Sequence, residues 1–283
     1  MSPAIARGVY FPSYIPSLDK ILGGGIQIGS TIVVLSEPGA GGSELLHASS
    51  LAYYQHKKQN DSPKTGTEDP GKIYYMSPTM SKEMFLRRMS EQFRQDLFEA
   101  AETFDQYVRY VDLGEHFFAR TMVPQNWYSP DSSSIQDLPS RSDNYGGMTI
   151  LLEILEAIPK KSLIMIDAFT PIVPYYMRNQ GDWTELIAIM RGLTRVAKLW
   201  GSTIVILLAA GILPKDKEIE MIECFDGAFR FFWQKNTAQT RQRQMYVEKF
   251  SGLLPTLDPR DVVTFNINIS NAGFEITNLR VVS

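Results

Sequence analysis

The sequence predicts an α/β protein: a mostly parallel, twisted sheet flanked by helices, with an antiparallel extension at its C-terminal end. Two observations support this class. Short apolar segments alternate with helical patterns over 31–210, the order that produces a parallel sheet covered on both faces. The last third changes to successive strand-like segments without helices between them. Because no linker separates the two parts, we expect a single domain over 1–283.

Strand and helix signals follow one another along the chain. The apolar runs that indicate parallel strands lie at 31–36, 72–77, 107–113, 162–169 and 202–210. Helical patterns lie at 43–56, 81–102, 148–158 and 182–199. The antiparallel extension is indicated by segments at 226–234, 243–251, 262–270 and 273–279.

Two segments between these elements have the composition of surface loops. Residues 55–72 are polar and turn-rich, and residues 124–147 are rich in Ser, Pro, Asp and Gly. The second segment is long for a compact domain, so it is either disordered or a binding element. Since it carries no recognition pattern, its composition favours disorder.

The composition excludes several classes of protein. Hydrophobic residues make up 44% of the 283 residues and the net charge is −3, so no global field recruits nucleic acid or an anionic membrane. The single cysteine, Cys224, excludes an internal disulfide and a cysteine-rich zinc site. It lies in an apolar stretch and is expected to pack in the core. The three histidines lack metal-ligand spacing.

The chain shows no sign of a membrane partner. Its N-terminus lacks the apolar core of a signal peptide. The longest apolar run, 202–213, is too short to cross a bilayer and is typical of a buried strand. A cytoplasmic location is therefore expected.

Residues 33–46 look like a phosphate-binding loop that lacks its lysine. An apolar strand enters a glycine-rich turn, and a helix follows. A P-loop reads G-x-x-x-x-G-K-[ST] in this context. On that template Ser36 takes the first glycine, Gly41 the second, Gly42 the lysine and Ser43 the hydroxyl residue.

The segment that leads into this loop resembles the opening of KaiC-like members of the RecA superfamily, an archaeal group of P-loop ATPase domains. The residues that fit its pattern are Ile15, Leu18, Asp19, Leu22, Gly23, Gly24, Gly25, Ile26 and Gly29. Residues 163–173 are similar to the strand that bears the Walker B aspartate, here Asp167. Residues 224–232, 244–252 and 265–276 are similar to later strands of the family. The resemblance implies a RecA-like sheet and an archaeal origin.

The resemblance also implies a site for a nucleotide. Its nucleotide-binding positions are Glu37, Pro38, Gly39, Ala40, Gly41, Gly42, Ser43, Glu44 and Asp167. Ser43 and Asp167 would hold Mg²⁺ if a Mg-nucleotide binds. The alternative for this pair is structural, with the serine capping the helix and the aspartate bonded to it. ATP or ADP with Mg²⁺ is expected to bind weakly, if at all.

Three catalytic elements of the family are altered together, so no catalytic residue is assigned. Gly42 supplies no cation to the phosphates. Residues 77–80 read Ser-Pro-Thr-Met where the family carries a Glu–Glu pair, and Glu83 lies beyond them. In the family's K-x-R pair Lys249 is kept and Ser251 replaces the arginine. These changes predict a non-catalytic regulatory or assembly protein whose partner is itself or a paralogue, in a ring or filament.

Two carboxylates beside the turn strengthen this expectation. At ~4–6 Å and an effective dielectric near ~20, Glu37 and Glu44 would each cost a bound phosphate charge on the order of 3 kcal/mol. Glu44 lies in the first helical turn, where free N–H groups stabilise a carboxylate. Either it closes the loop in place of the missing phosphate, or it is a solvent-exposed first-turn acid.

Two other functions stay open. One is a weak ATPase completed in trans by Lys249, Arg241 or Arg243. The other is a nucleic-acid-binding accessory factor of recombination.

The nucleic-acid alternative would use two central loops at 170–183 and 211–223, with Tyr175, Tyr176 and Arg178 on the first. Core packing of the tyrosines is the preferred interpretation. His47 either reaches the site or is a polar surface residue, and the surface position is expected.

Overall fold

The sheet order of the protein is that of a parallel α/β fold with antiparallel strands added at one edge. A computed structural model describes residues 9–59, 66–93, 97, 99–119, 121–128, 146–178, 181–235, 240–250, 264–271 and 273–278. Nine strands form the main sheet in the order β11-β10-β9-β8-β3-β7-β6-β4-β5. A separate two-stranded sheet pairs β1 (Tyr10–Phe11) with β2 (Ile26–Gln27).

The parallel part confirms the predicted alternation. Its strands are β3 (Thr31–Ser36), β4 (Ile73–Ser77), β5 (Val108–Asp112), β6 (Leu163–Ile166), β7 (Thr203–Ala209) and β8 (Gly227–Lys235). The long helices are α2 (Gly42–Lys58), α3 (Lys82–Phe93), α6 (Gly146–Ala157) and α8 (Trp183–Trp200). Short helices are α1 (Pro16–Ile21), α4 (Ala101–Tyr107), α5 (Gly114–Phe118), α7 (Ile172–Arg178) and α9 (Lys215–Glu223).

The antiparallel extension is shorter by one strand than the sequence predicts. Strand β8 runs parallel to β3, with Val34 opposite Phe229, because α9 returns the chain from β7 in a crossover. Only β9 (Arg241–Phe250), β10 (Phe265–Ser270) and β11 (Gly273–Asn278) continue antiparallel from β8 among the described strands.

Both faces of the parallel sheet are buried, which is why its strands are continuously apolar. In β3, Ile32 and Val34 face one core with α2 and α3, whereas Val33 and Leu35 face a second core with α6 and α8. Each of these four side chains is at most 1% exposed. The two cores hold the strand ends in fixed positions around the glycine turn.

The single helix predicted over 81–102 is wrong. Helix α3 ends at Phe93, and α4 begins at Ala101. Between them Leu97 is 1% exposed, and its N–H bonds to Ser90 Oγ at 3.2 Å. Leu97 packs in the same core as α2 and α3, outside both helices that flank it.

Both segments predicted as central loops contain helices. Helix α7 lies within 170–183 and α9 within 211–223. The start of α9 follows Pro214 and carries Asp216 and Glu218 in its first turn. This is a helix-start signal that could have been recognised in the sequence.

The two predicted surface loops are partly helical at their ends. Helix α2 continues to Lys58, residues 125–127 form a single 3₁₀ turn, and α6 begins at Gly146. Residues 60–65 and 129–145 of the predicted loops lie outside the described residues. No helix in the described part of the chain is long and apolar enough to span a bilayer.

Candidate functional site

The predicted nucleotide-site residues surround a pocket of about 670 Å³ at the carboxyl ends of β3, β6 and β7. Clefts at this end of a parallel sheet are where ligands bind in such folds. The pocket is lined by Ser36, Glu37, Pro38, Gly39, Gly42, Ser43, Glu44, His47, Arg88, Glu91, Gln92, Asp167, Ala168, Thr170, Leu207, Leu208 and Ala209. Ala40 and Gly41 belong to the same turn but do not line it.

The turn itself keeps the conformation that only glycine adopts freely. Gly39 has φ of 72° and Gly41 has φ of 121°, both in the left-handed region. Helix α2 then begins at Gly42. The turn therefore places glycine at the two positions that need a left-handed backbone, and the residue at position 42 carries no charge.

Ser36 and Gly42 are sterically matched. A Cβ atom at position 42 would lie 2.6 Å from Ser36 Cβ, 2.8 Å from Ser36 Oγ and 2.7 Å from Leu207 Cδ1. These separations are too short for real atoms, and Ser36 Cβ is fixed by the buried strand. A lysine at position 42 would therefore clash with Ser36 Cβ and would also require the Leu207 side chain to shift.

Ser36 also accepts a hydrogen bond from one of the backbone N–H groups of the turn. Its Oγ accepts the Gly42 N–H at 3.3 Å and donates to the Glu37 carbonyl at 3.0 Å. The hypothesis that Glu44 closes the turn is not what the structure shows. Within the described residues the Gly42 N–H pairs with the Ser36 hydroxyl, whereas Glu44 is half-buried on the pocket wall.

The outer side of the turn is tied to the strands beside it. Glu37 Oε2 accepts the Trp233 N–H at 3.0 Å, and Trp233 Nε1 donates to the Pro38 carbonyl at 3.0 Å. Arg243 Nε donates to the Gly39 carbonyl at 2.9 Å and its guanidinium lies 4.7 Å from the Trp233 ring centre. These contacts fix the turn within one chain.

Asp167 is the centre of the polar contacts inside the pocket. Its Oδ1 accepts the Ser43 hydroxyl at 3.1 Å, which is the bond of the structural alternative. The cap of that alternative is not formed by Ser43, because Gly41 is the N-cap residue of α2. Its Oδ2 accepts the hydroxyl of Tyr75, a contact that no sequence pattern indicated. Burial, followed by the neighbouring Asp167 charge, raises the pKa of Tyr75 well above its usual value. The tyrosine is therefore a permanent donor to this carboxylate.

The prediction that His47 lies on the surface is wrong. The side chain is 1% exposed, and it packs against the Tyr75 and Phe85 rings. Its Nδ1 lies 3.2 Å from Gln92 Oε1, and its Nε2 lies 3.7 Å from Asp167 Oδ2. Burial lowers the pKa of His47, against the opposing effect of the Asp167 carboxylate, so the imidazole is neutral at pH 7.

Helix α3 contributes three pocket residues that were not predicted from the sequence: Arg88, Glu91 and Gln92. Their spacing places them on one helical face, and this face could have been recognised if α3 had been assigned its own bounds. The end of β4 carries no carboxylate: Ser77 is buried and accepts the Leu113 N–H at 2.8 Å through its carbonyl.

Two of the three cations proposed to act in trans, Lys249 and Arg243, have partners within the chain. Lys249 Nζ donates to the Glu223 carbonyl at 3.1 Å and lies 3.6 Å from its carboxylate. Arg243 contacts the turn of its own chain, as described above, and Arg241 is exposed. Ser251 lies outside the described residues.

The tyrosines proposed to stack on nucleic-acid bases mainly contact other side chains of this chain. Tyr176 is 5% exposed, and its hydroxyl donates to Glu185 Oε2 at 2.5 Å. Tyr175 contacts the Phe117 ring edge, with centroids 5.6 Å apart. Arg178 is exposed. Cys224 is 5% exposed, as predicted, and its thiol donates to the Glu220 carbonyl at 3.3 Å.

The pocket contains groups suited to the Mg²⁺ ion of a Mg-nucleotide but lacks the lysine that would bind its phosphates. Ser43 and Asp167 are adjacent oxygen donors of the kind that Mg²⁺ takes, with water completing its shell. At position 42 the P-loop template has a lysine that binds the phosphates, and a side chain there would overlap Ser36. Across the described residues there is no group of three or more His, Cys, Asp or Glu side chains that could hold a metal ion.

Comparison with known proteins supports the fold. The structure is similar to a crystal structure of a KaiC-like protein from the hyperthermophilic archaeon Pyrococcus horikoshii, with a TM-score of 0.59. The chain has a KaiC-like, RecA-type fold. The match covers 94% of this chain and 97% of that chain at 16% identity, a level at which the likeness shows the fold alone. No protein-family model and no curated protein sequence matches the chain.

Proposed function

We propose that this protein is a non-catalytic member of the RecA-type fold that acts in signalling or regulation by assembling with itself or with a paralogue. The observation that carries this proposal is the fit between Ser36 and Gly42. Because Ser36 Cβ would lie 2.6 Å from a Cβ at position 42, the site excludes the lysine that nucleotide hydrolysis requires.

The charges around the pocket support the same conclusion. Three acidic residues, Glu44, Glu91 and Asp167, line it against the single basic residue Arg88 among the described lining residues. The carboxylate of a fourth lining residue, Glu37, accepts the Trp233 N–H on the outer side of the turn. The polyanionic phosphates of a nucleotide are repelled by this balance. The end of β4 also offers no carboxylate to activate water.

The partner is inferred from the fold alone. Subunits of RecA-type rings and filaments place the final hairpin of one chain against the turn of the next, and a subunit without catalysis keeps that surface. The cytoplasm is the proposed location, and an archaeal source is proposed from the resemblance.

The test is a calorimetric titration of the purified chain with Mg·ATP and Mg·ADP, with the mass measured by light scattering. The proposal expects no binding heat and a mass larger than one chain. Micromolar nucleotide binding together with hydrolysis would contradict it and favour an ATPase completed by a neighbouring chain. A monomer at all concentrations, alone and with candidate paralogues, would contradict the assembly role.

The nucleic-acid alternative receives less support from the contacts. Tyr176 is buried and its hydroxyl is bonded to Glu185, so it is not available for stacking on a base. Salt-sensitive binding to single-stranded DNA that is lost in Arg178→Ala would restore this alternative.

A further inference from the structure

The inner wall of the pocket presents two acceptor atoms to each other. His47 Nε2 and Asp167 Oδ2 are 3.7 Å apart. His47 Nδ1 lies 3.2 Å from the Gln92 amide oxygen, and in the tautomer that donates this bond the ring proton is on Nδ1 and Nε2 carries a lone pair. Nε2 has no hydrogen-bond partner within the described structure, although the side chain is 1% exposed.

An unpartnered buried acceptor beside a carboxylate is unfavourable unless a donor or a cation satisfies both. The tyrosine hydroxyl already donates to Oδ2 and the Ser43 hydroxyl to Oδ1, so neither hydroxyl proton is available to His47. An ammonium or guanidinium group would complete this arrangement, because its N–H groups can donate to both acceptors and its charge offsets that of the carboxylate.

The rest of the pocket agrees with this requirement. The carboxylates of Glu44 and Glu91 add negative charge, and Arg88 opposes it from the exposed face of α3. Leu207 and Leu208 contribute apolar surface to the lining. Such a surface suits the carbon chain of an amine, whereas the carboxylates suit its charged end.

We infer that this pocket binds an aliphatic ammonium or guanidinium group, held by Asp167, His47 Nε2 and Glu44. The group belongs either to a free diamine or polyamine, or to a lysine or arginine side chain of a second copy of the chain. A metal ion is a poorer match, since the described residues offer no cluster of three metal ligands. This inference rests on the proposed function, because a bound nucleotide would fill the same space.

The experiment is ¹⁵N NMR of histidine-labelled protein, in which three imidazoles give few signals. Agmatine, putrescine and Mg·ATP are titrated separately. Amine binding is expected to move the His47 Nε2 resonance from the position of a free acceptor toward that of a hydrogen-bonded acceptor, while His116 stays unchanged because it is exposed on α5. Titration calorimetry gives the dissociation constant.

Substitutions in the pocket and on the outer face of α3 test whether the amine binds in the pocket. Glu44→Gln is expected to weaken amine binding roughly tenfold or more, the scale of one hydrogen bond to a charged group. Glu83→Gln is the matched control on the outer face of α3, where the side chain is 70% exposed and bonded to Arg87. It should bind the amine unchanged. Asp167→Asn should abolish binding. If Asp167→Asn does not fold, Glu44→Gln still tests the inference.

The outcomes distinguish the two proposals. A His47 shift with amine and none with Mg·ATP supports both. A shift that grows with protein concentration without added amine supports a side chain of a second copy as the source. No shift with any amine or at any concentration overturns this inference and leaves the non-catalytic function standing. A shift with Mg·ATP that amine does not compete overturns both.

Discussion

Ser36 and Gly42 interact as a matched pair: the Ser36 hydroxyl accepts the Gly42 N–H at 3.3 Å, and Ser36 Cβ occupies the space that a side chain at position 42 would need. A working P-loop has glycine at the first position and lysine at the second. This chain carries a serine and a glycine there. The two departures from the motif therefore compensate each other sterically.

This pairing predicts how the lysine can be restored. Gly42→Lys alone should destabilise the protein by roughly 1–3 kcal/mol through overpacking, and it should gain no nucleotide affinity. Ser36→Gly with Gly42→Lys should recover stability and bind Mg·ADP. Urea unfolding and calorimetry measure the two effects. A single Gly42→Lys variant as stable as the double variant would show that Ser36 does not control the site.

The buried histidine predicts a pH dependence of stability. Burial lowers the pKa of His47 in the folded protein below the value near 6.5 of the unfolded chain, so the unfolded chain binds more protons below about pH 6.5. The free energy of unfolding should therefore fall as pH drops from about 7.5 to about 5.5, by up to about 1.4 kcal/mol per pH unit from this group.

Urea titrations of His47→Gln across the same range measure this contribution. The variant should lose most of the slope, whereas His116→Gln, at an exposed position on α5, should keep it. Equal slopes in the two variants would assign the pH dependence to other groups.

The bond between Tyr75 and Asp167 predicts a cost for removing one hydroxyl. Tyr75→Phe leaves a buried carboxylate without one of its donors, which should cost about 1.5–3 kcal/mol. Tyr53→Phe is the matched control: its equally buried hydroxyl donates to the neutral Pro70 carbonyl at 2.9 Å, so the expected cost is about 1 kcal/mol. Equal losses of unfolding free energy in the two variants would show that the bond from Tyr75 to Asp167 is no stronger than a bond to a neutral carbonyl.

Two glycines on one helix predict opposite effects. Gly192 lies inside α8 and has open space where a methyl group would be added, so Gly192→Ala should stabilise by about 0.5–1 kcal/mol. Gly201 ends the helix with φ of 61°, so Gly201→Ala should destabilise by about 1 kcal/mol. Thermal unfolding of both variants decides this, and the same sign for both would contradict the assigned end of α8.

Much of the architecture follows from local patterns. Apolar runs such as 31–36 and 202–210 had to be strands covered on both faces, because nothing charged interrupts them. The glycine turn after β3 followed from motif spacing, and the pairing of Ser43 with Asp167 followed from the resemblance of residues 163–173 to the Walker B strand. The parallel direction of β8 did not, because it depends on α9, whose helical start was interpreted as a loop.

The sequence by itself determined the RecA-type order of strands and helices and the glycine at position 42. Only the tertiary structure decided which side chains fill the space beside that glycine. Ser36, His47 and Gln92 come from three different elements, and no local pattern relates a strand end to two helix faces. Packing of β4 and α3 against α2 buries His47 beside Asp167, and this contact between distant segments gives the pocket its acceptors.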